Sequence, residues 1–428
     1  MPHTLRIATS AACLLALLSF ACADQPAPAS ETTPAAKGDP WVRLVEDEDR
    51  TLRMEVAMRT YKAEGKPDLL VAGAVHIGDR PFYKALQDSL DARDVVLFEG
   101  VKPSAAGPDD RTATEDQRVE RTKGRVRLVG ILIERYRLEH DVLPGCLGDC
   151  AEAMSDDPRH LRWLTGASTD AWGNPITYEM TNDLGFEVMS LGADGKPGGK
   201  GTSADIRLSD DAPISPSELG LTPGLQEKLA ETFRLRFQLT EMDESKPNWR
   251  NADLSIEQIN ERITAAGGSG EFLFSMLDGS SGLAAFASGM LTAMQAIPGA
   301  APRGKLMIME LLSLADEDML GASMPGGEGL MEVIIEDRNQ AVIDHLQEVI
   351  EVEPGVQTVG IVYGAGHMPD LERRLEDQLG YRPDGETIWN TAMRLPLERL
   401  GITAQERMMV RYSVLQQVAA AKKAKKAE

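Results

Sequence analysis

The chain has 428 residues, 42% hydrophobic and 26% charged, so it is globular, can bury a sizeable core and by length alone suggests roughly two to three domains. Its 45 basic and 67 acidic residues leave a net charge of −22, which excludes nucleic acid as a partner and points to proteins, peptides, cations or neutral molecules. The same balance repels anionic lipid, so a membrane is expected to matter only through a lipid anchor.

At the N-terminus, Arg6, the apolar run Ile7 to Phe20 and then Ala21-Cys22-Ala23 have the layout of a secretory signal over residues 1–23. Two outcomes stay open. Cleavage can follow Ala23 by the small-x-small rule, or Leu18-Ser19-Phe20-Ala21-Cys22 can act as an imperfect lipobox that lipidates Cys22, with Phe20 its unfavourable feature. Either way the chain is expected to be exported, to the periplasm or cell envelope. Residues 24–40, rich in Ala, Pro, Thr and Ser, read as a tether.

From Trp41 the pattern predicts strands over 52–59 and 69–76, a helix over 81–94 with its apolar stripe at Phe82, Leu86 and Leu90, and a strand over 95–99. After a charged segment, an amphipathic helix over 126–140 leads into short turn-rich pieces: Asp170 to Pro175, a hairpin from 176–178 and 186–189, and a glycine-dense loop from Leu191 to Gly201. Between them lie Cys146 and Cys150, most simply a small disulfide loop in an exported protein; half of a zinc site is the weaker reading, because no second Cys or His pair follows at finger spacing. Beyond Pro213 the chain reads as helical over 223–239 and 255–265, the latter with Ser255 as N-cap and Gln258 as its capping-box partner. The apolar run 283–297 is too short to span a bilayer and reads as a core helix or lid, with a membrane-associating segment as the alternative. A charged helix over 330–352, a strand over 358–363, a helix over 369–380 and a strand over 388–395 complete the pattern. Residues 413–428 read as a basic tail, whose Lys422-Lys423-Ala424-Lys425-Lys426 is a solvated, disordered end.

Two tetrads, Gly73-Ala74-Val75-His76 and Gly364-Ala365-Gly366-His367, each follow an apolar run. A buried strand ending in Gly-x-x-His delivers an imidazole to the rim of a sheet, where ligands bind in α/β folds. These histidines are 291 residues apart (367 − 76), so a shared site requires the chain to fold back on itself as one discontinuous domain.

The segments Ala72 to Gly78, Val96-Leu97-Phe98-Glu99-Gly100, Asp337-Arg338-Asn339 and Tyr363 to Pro369 resemble the TraB/PrgY/GumN family, which includes the metal-dependent Tiki proteases. The resemblance covers residues 41–124 and 213–412 and implies an α/β fold with a mixed sheet and flanking helices. Between them, residues 125–212 resemble the globular domain of the type II secretion major pseudopilin, the G subunit. The residues that carry this likeness are Leu132 to Leu138 with Pro144, Asp170-Ala171-Trp172-Gly173-Asn174-Pro175, Tyr178, Ser190 to Gly199 and Ala204-Asp205-Ile206. It implies a small α+β domain, a helix on a short antiparallel sheet, inserted in the outer one. The hydrophobic prepilin helix is absent, which argues against assembly into a pseudopilus.

His76, His367 and Glu99 make a facial set able to hold a divalent transition metal (Mn, Co or Zn) with positions left for water and substrate, and such an ion supplies the activated water that amide hydrolysis needs. Glu99 can alternatively be the general base, Arg338 can stabilise an oxyanion and Asn339 can orient substrate. In the glycine-dense loop, Asp194, Asp205, the Ser203 hydroxyl and the Leu191 carbonyl offer calcium ligands, as the resemblance implies, with Thr202-Ser203 where the family carries a further acid. The expectation is an exported hydrolase acting on a peptide or protein; the alternative is a non-catalytic binding or secretion-associated accessory protein that meets secretion-apparatus subunits through the pseudopilin-like domain.

Overall fold

The computed structural model describes residues 40–100, 105, 113–155, 158–182, 185–214, 219, 225–244, 246–267, 289, 291–292, 294–314 and 331–425. The signal, Cys22 and nearly all of the tether lie outside them, as does most of the apolar run 283–297.

In chain order the elements are β1 (Val42–Glu46), β2 (Thr51–Lys62), β3 (Asp68–Ala74), β4 (Ile77–Gly78), α1 (Arg80–Asp91) and β5 (Val95–Phe98). Next come α2 (Glu115–His140), α3 (Leu147–Ala153), α4 (Pro158–Gly166), β6 (Thr177–Asn182), β7 (Gly185–Ser190) and β8 (Ile206–Arg207). The remainder is α5 (Leu225–Phe233), β9 (Arg236–Phe237), α6 (Gln238–Glu241), β10 (Trp249–Asn251), α7 (Ile256–Ala265), α8 (Ala300–Leu314), α9 (Arg338–Val352), β11 (Thr358–Gly364), α10 (Met368–Leu379), β12 (Arg382–Pro383), β13 (Ile388–Pro396) and α11 (Ala404–Lys425).

The main sheet is mixed, in the order β1-β2-β3-β11-β5-β10, with β12 and β13 also paired to β2. Pairs β3·β11, β11·β5 and β5·β10 are parallel, and the pairs made by β2 are antiparallel. Alternation along each strand sends side chains to opposite faces. Leu70, Ala72, Val96, Phe98 and Val362 enter one core with residues of α1, α5, α8 and α11, while Leu69, Val71, Val95, Leu97, Val359 and Ile361 enter another with α9 and α10. The near-continuous apolar runs of β3, β5 and β11 follow from burial on both faces, as parallel strands require. The mixed α/β architecture with flanking helices matches the expectation.

Residues 113–214 have a different texture. Helix α2 packs on the antiparallel sheet β6-β7-β8, and its residues Val126, Val129, Leu132 and Ile133 share a core with Cys150, Leu164, Ile176 and Val188. The helix starts earlier than the apolar pattern indicates, because Thr114 and Gln117 form a full capping box ahead of a polar first turn.

Three further expectations are corrected. The stretch from 413 is part of α11, in which Val410, Val414 and Val418 recur every fourth residue and bury one face against the core, and the helix runs on to Lys425 where a disordered end is expected from Lys422. The predicted helix over 223–239 ends at Phe233, where the next residue, Arg234, adopts a left-handed φ of 54° and the chain turns into β9. Cys146 and Cys150 are free thiols rather than a disulfide: Cys146 is exposed at the N-cap of α3 with Sγ 3.5 Å from Asp149 Oδ1, while Cys150 is packed in the core, where burial pushes its thiol pKa up to about 12. Among the described residues no helix is long and apolar enough to cross a membrane.

Candidate functional site

Strands β3, β11 and β5 are parallel neighbours, with Ala74 opposite Gly364 and Val362 opposite Phe98, so they stop together at one sheet edge. Glu99 is the first residue beyond β5. His367 follows β11 by one short turn, and His76 lies two residues beyond β3. Gly364 makes a close approach here: its N–H donates to Glu99 Oε2 at 2.5 Å, and a Cβ on it would stand 3.2 Å from that oxygen, so a larger residue would press on the carboxylate.

Arg338 reaches the same edge from the first turn of α9. The preceding residues Glu332–Asp337 form a wide π-helical turn, a device that re-aims the side chains after it, and both Arg338 and Asn339 end up buried. The guanidinium Nη2 donates to Glu99 Oε1 at 2.6 Å and to Asp253 Oδ2 at 2.7 Å, and Nε donates to Asp253 Oδ1 at 2.9 Å. Asp253 also accepts the Gly100 N–H at 3.1 Å, tying the end of β5 to the segment after β10. Sequence reasoning missed Asp253. The only signals were its place two residues before the Ser255 cap and after a three-residue strand too short to show a period.

His367 is held from both sides. Asn339 Nδ2 donates to the His367 carbonyl and to Asp370 Oδ2, each at 3.0 Å, which orients the amide so that Oδ1 faces His367 Nδ1 at 2.9 Å. This network assigns the imidazole proton to Nδ1 and leaves the Nε2 lone pair facing Arg338 Nη1 at 3.4 Å. Burial lowers the His367 pKa to about 4, outweighing the attraction of Glu99, so the ring is neutral at pH 7. For Glu99, burial alone raises the pKa. The Arg338 guanidinium, with smaller help from His367, His76 and the Gly364 N–H, overcomes that and holds the carboxyl well below its ordinary range.

His367 Nε2 lies 3.6 Å from Glu99 Oε1. His76 shares the edge and is near enough to act on the charge of Glu99, but its side chain is exposed and its backbone carbonyl accepts from Gln238 N–H at 2.8 Å. Of the six histidines, then, the structure brings His367 into direct contact with Glu99 and Arg338, with His76 beside them. Arg338 and Asn339, named for an oxyanion and for substrate, here bind Glu99 and His367 respectively. As placed, the residues do not fit a bound metal: the cation that bridges Glu99 and His367 is the guanidinium, and among the described residues no three His, Cys, Asp or Glu side chains gather as ion ligands. A cleft of about 1160 Å³ opens beside Asp253, lined also by Arg118, Arg127, Asp205, Gln258 and His345.

In the glycine loop, Asp205 Oδ1 accepts Gly198 N–H at 2.9 Å and Oδ2 accepts Arg207 Nη2 at 2.9 Å, while Asp194 Oδ1 accepts Lys196 N–H at 3.1 Å. Ser203 lies in a 3-10 turn over 201–203, and Asn174 Nδ2 donates to the Gly192 carbonyl beside Leu191 at 2.9 Å. Asp170 carries the Trp172 corner: its Oδ1 accepts the Trp172 and Asn174 N–H groups at 3.0 and 2.8 Å, and Trp172 Nε1 donates to Glu115 at 3.0 Å, so this indole is part of the turn's packing.

Residues 111–209 match the family model described as type II secretion system (T2SS), protein G. The type II secretion system core protein G of Pseudomonas aeruginosa is 28% identical over 121 residues, covering 26% of this chain and 85% of that protein. The core protein G of Vibrio cholerae is 28% identical over 127 residues, 27% of this chain and 86% of that protein, and that of Xanthomonas campestris pv. campestris is 25% identical over 119 residues, 26% and 81%. No solved structure matches the chain significantly. Residues 111–209 are therefore a domain similar to the type II secretion protein G, a pseudopilin.

Proposed function

We propose that this protein is an envelope-associated accessory of type II secretion, in which the pseudopilin-like domain engages secretion-apparatus subunits and the α/β part carries a buried polar site at its sheet edge. The match over residues 111–209 carries this reading. The relatives are core secretion proteins by name, and such a location agrees with the secretory layout of residues 1–23 and with a lipid at Cys22 as one of its two outcomes. In this reading the α/β part is a discontinuous domain of residues 41–124 and 213–412 interrupted by 125–212. The interleaving of β3, β11, β5 and β10 in one sheet supports it, as does a separate core drawn from residues 105–208. Calcium at Asp194, Ser203, Asp205 and the Leu191 carbonyl belongs to the proposal, with Arg207 displaced from Asp205. Its check is a calcium-dependent rise in the thermal midpoint that chelator reverses.

The experiment is co-purification from envelope extracts, comparing the full chain with one in which residues 113–214 are replaced by a flexible linker, and with the isolated 113–214 segment. Enrichment of secretion subunits by the full chain and by the segment, lost in the linker variant, supports the proposal. No enrichment by either overturns it.

A second reading is motivated by one observation, that Glu99, His367 and His76 stand at the same sheet edge, and it requires them to rearrange from the Arg338-bridged arrangement described above. It makes the outer part a hydrolase of the TraB/PrgY/GumN type acting on a peptide or protein, with a divalent ion (Mn, Co or Zn) joining those three side chains and Arg338 giving up its approach to His367. Metal content of purified wild type against His76→Ala and His367→Ala checks it. Stoichiometric Mn, Co or Zn in wild type alone supports it, and background metal in all three removes it.

A further inference from the structure

The buried charges at the sheet edge do not balance. Glu99 and Asp253 are two carboxylates that share one guanidinium, that of Arg338. His367, whose Nε2 faces a guanidinium N–H and whose Nδ1 faces Asn339 Oδ1, has one ring proton and is neutral. The cluster is therefore one positive charge short. The N–H groups of Gly364, Gly100 and Leu254 donate to the carboxylates, but a dipole does not neutralise a charge. The guanidinium is also held unequally. Asp253 takes two of its bonds, from Nε to Oδ1 at 2.9 Å and from Nη2 to Oδ2 at 2.7 Å, in the forked geometry that suits the pair. Glu99 takes one, from Nη2 at 2.6 Å, and His367 Nε2 only faces Nη1 at 3.4 Å. Arg338 can thus leave Glu99 and His367 and remain paired, because Asp253 keeps the fork. The π-helical turn Glu332–Asp337 just ahead of it supports such a move, since a wide turn that narrows to α geometry rotates the residues after it.

We propose that Arg338 is a built-in competitor for the cation position of Glu99 and His367: joined to them it closes the site, and parked on Asp253 alone it opens the site to a divalent transition metal ion. This competition rests on the second reading above and is the regulation of that same edge. The observed arrangement, with the guanidinium on Glu99, is the closed state. An ion binds only the open one, so its apparent affinity is lowered in proportion to the fraction of molecules that are open. Asp253 is a positioning residue, since it acts through Arg338. The imidazole is prepared for either cation. Asn339 Oδ1 holds the ring proton on Nδ1 at 2.9 Å, which leaves Nε2 a lone pair, the state a metal-binding histidine needs.

The test is calorimetric titration of the chelator-stripped full chain with cobalt(II), with circular dichroism reporting the fold of each variant. Arg338→Met is expected to bind the ion about tenfold or more tightly than wild type, since the competitor is gone. Asp253→Asn is expected to bind it about tenfold more weakly, because a guanidinium without its parking carboxylate stays on Glu99. A merely structural role for the two residues would not move the affinity in opposite directions. His367→Ala placed in the Arg338→Met chain should return binding to background, which assigns the ion to this edge. If the methionine variant is too unstable to titrate, Arg338→Lys takes its place and should also bind more tightly than wild type, because an ammonium cannot make the fork. Equal affinity in wild type and the Arg338 variant, or no weakening in Asp253→Asn, overturns the competition and leaves the second reading standing. Binding that survives His367→Ala overturns it as well. Background binding in wild type and in both Arg338 variants removes that reading and the competition with it.

Discussion

Arg338 and Glu99 meet across 239 positions of sequence, with Nη2 2.6 Å from Oε1, and the same guanidinium grips Asp253 by two further bonds. All three side chains are at least nine-tenths buried, so one cation holds two carboxylates out of water. Removing one member of such a group leaves the others charged and unpaired, which costs more than the contact itself contributes.

Arg338→Met is therefore expected to lower unfolding stability by about 3–5 kcal/mol, read as the shift in a urea midpoint at constant slope. Arg338→Lys should recover only part, because an ammonium cannot make the forked contact with Asp253. A loss below about 1 kcal/mol for the methionine variant would contradict the burial of the pair.

His367 gives a pH signature of definite sign. Its folded pKa, about 4, lies below the ordinary 6.5, so the unfolded chain binds the proton first and stability falls as pH drops through that window. The contribution lost between pH 6.5 and 4 is about 3 kcal/mol. In His367→Gln this component is absent, and the curve of stability against pH should be flatter there than in wild type. Parallel curves would mean the ring is not buried neutral.

Gly199 tests the tight winding of the loop. Its φ is +95°, and a Cβ would stand 2.1 Å from the Ser203 carbonyl oxygen. Gly199→Ala is expected to cost about 2 kcal/mol or more, through strain in a left-handed conformation and displacement of the 201–203 turn. Hydrogen exchange should report the change within residues 185–214 and leave the main sheet protected.

Ser255 caps α7, accepting from Gln258 N–H while the Gln258 side chain accepts from Ser255 N–H. Ser255→Ala should cost about 1 kcal/mol by thermal or urea unfolding, and Ser255→Asp should restore most of it.

Where burial imposes a period on the residues, the sequence was readable. Strands β3, β5 and β11 are covered on both faces and stand out as apolar runs. Helix α7 announces itself by Ser255 and Gln258, and α10 is closed by Gly380 at φ +71°. Glu99 and His367 were legible for the same reason, since Glu99 directly follows such a run and His367 stands one short turn beyond another. What escaped lacks a period. Strand β10 has three residues, so neither it nor Asp253 just after it had a pattern to betray it. The π-helical turn before Arg338 depends on packing that no residue type marks. The C-terminal end of α11 was hidden by its lysines, although the valine spacing at 410, 414 and 418 already described a helix with one face inward.

The order in which the strands are made has a further consequence. β11 lies between β3 and β5 yet is encoded after residue 357. Until that point has emerged from the ribosome, β3 and β5 each expose a bare row of amides and carbonyls, edges that can recruit other chains. A product stopped anywhere ahead of Thr358 should thus clump rather than yield a smaller soluble protein, and a chaperone holding the unfinished chain would have its most valuable task in covering those two strands.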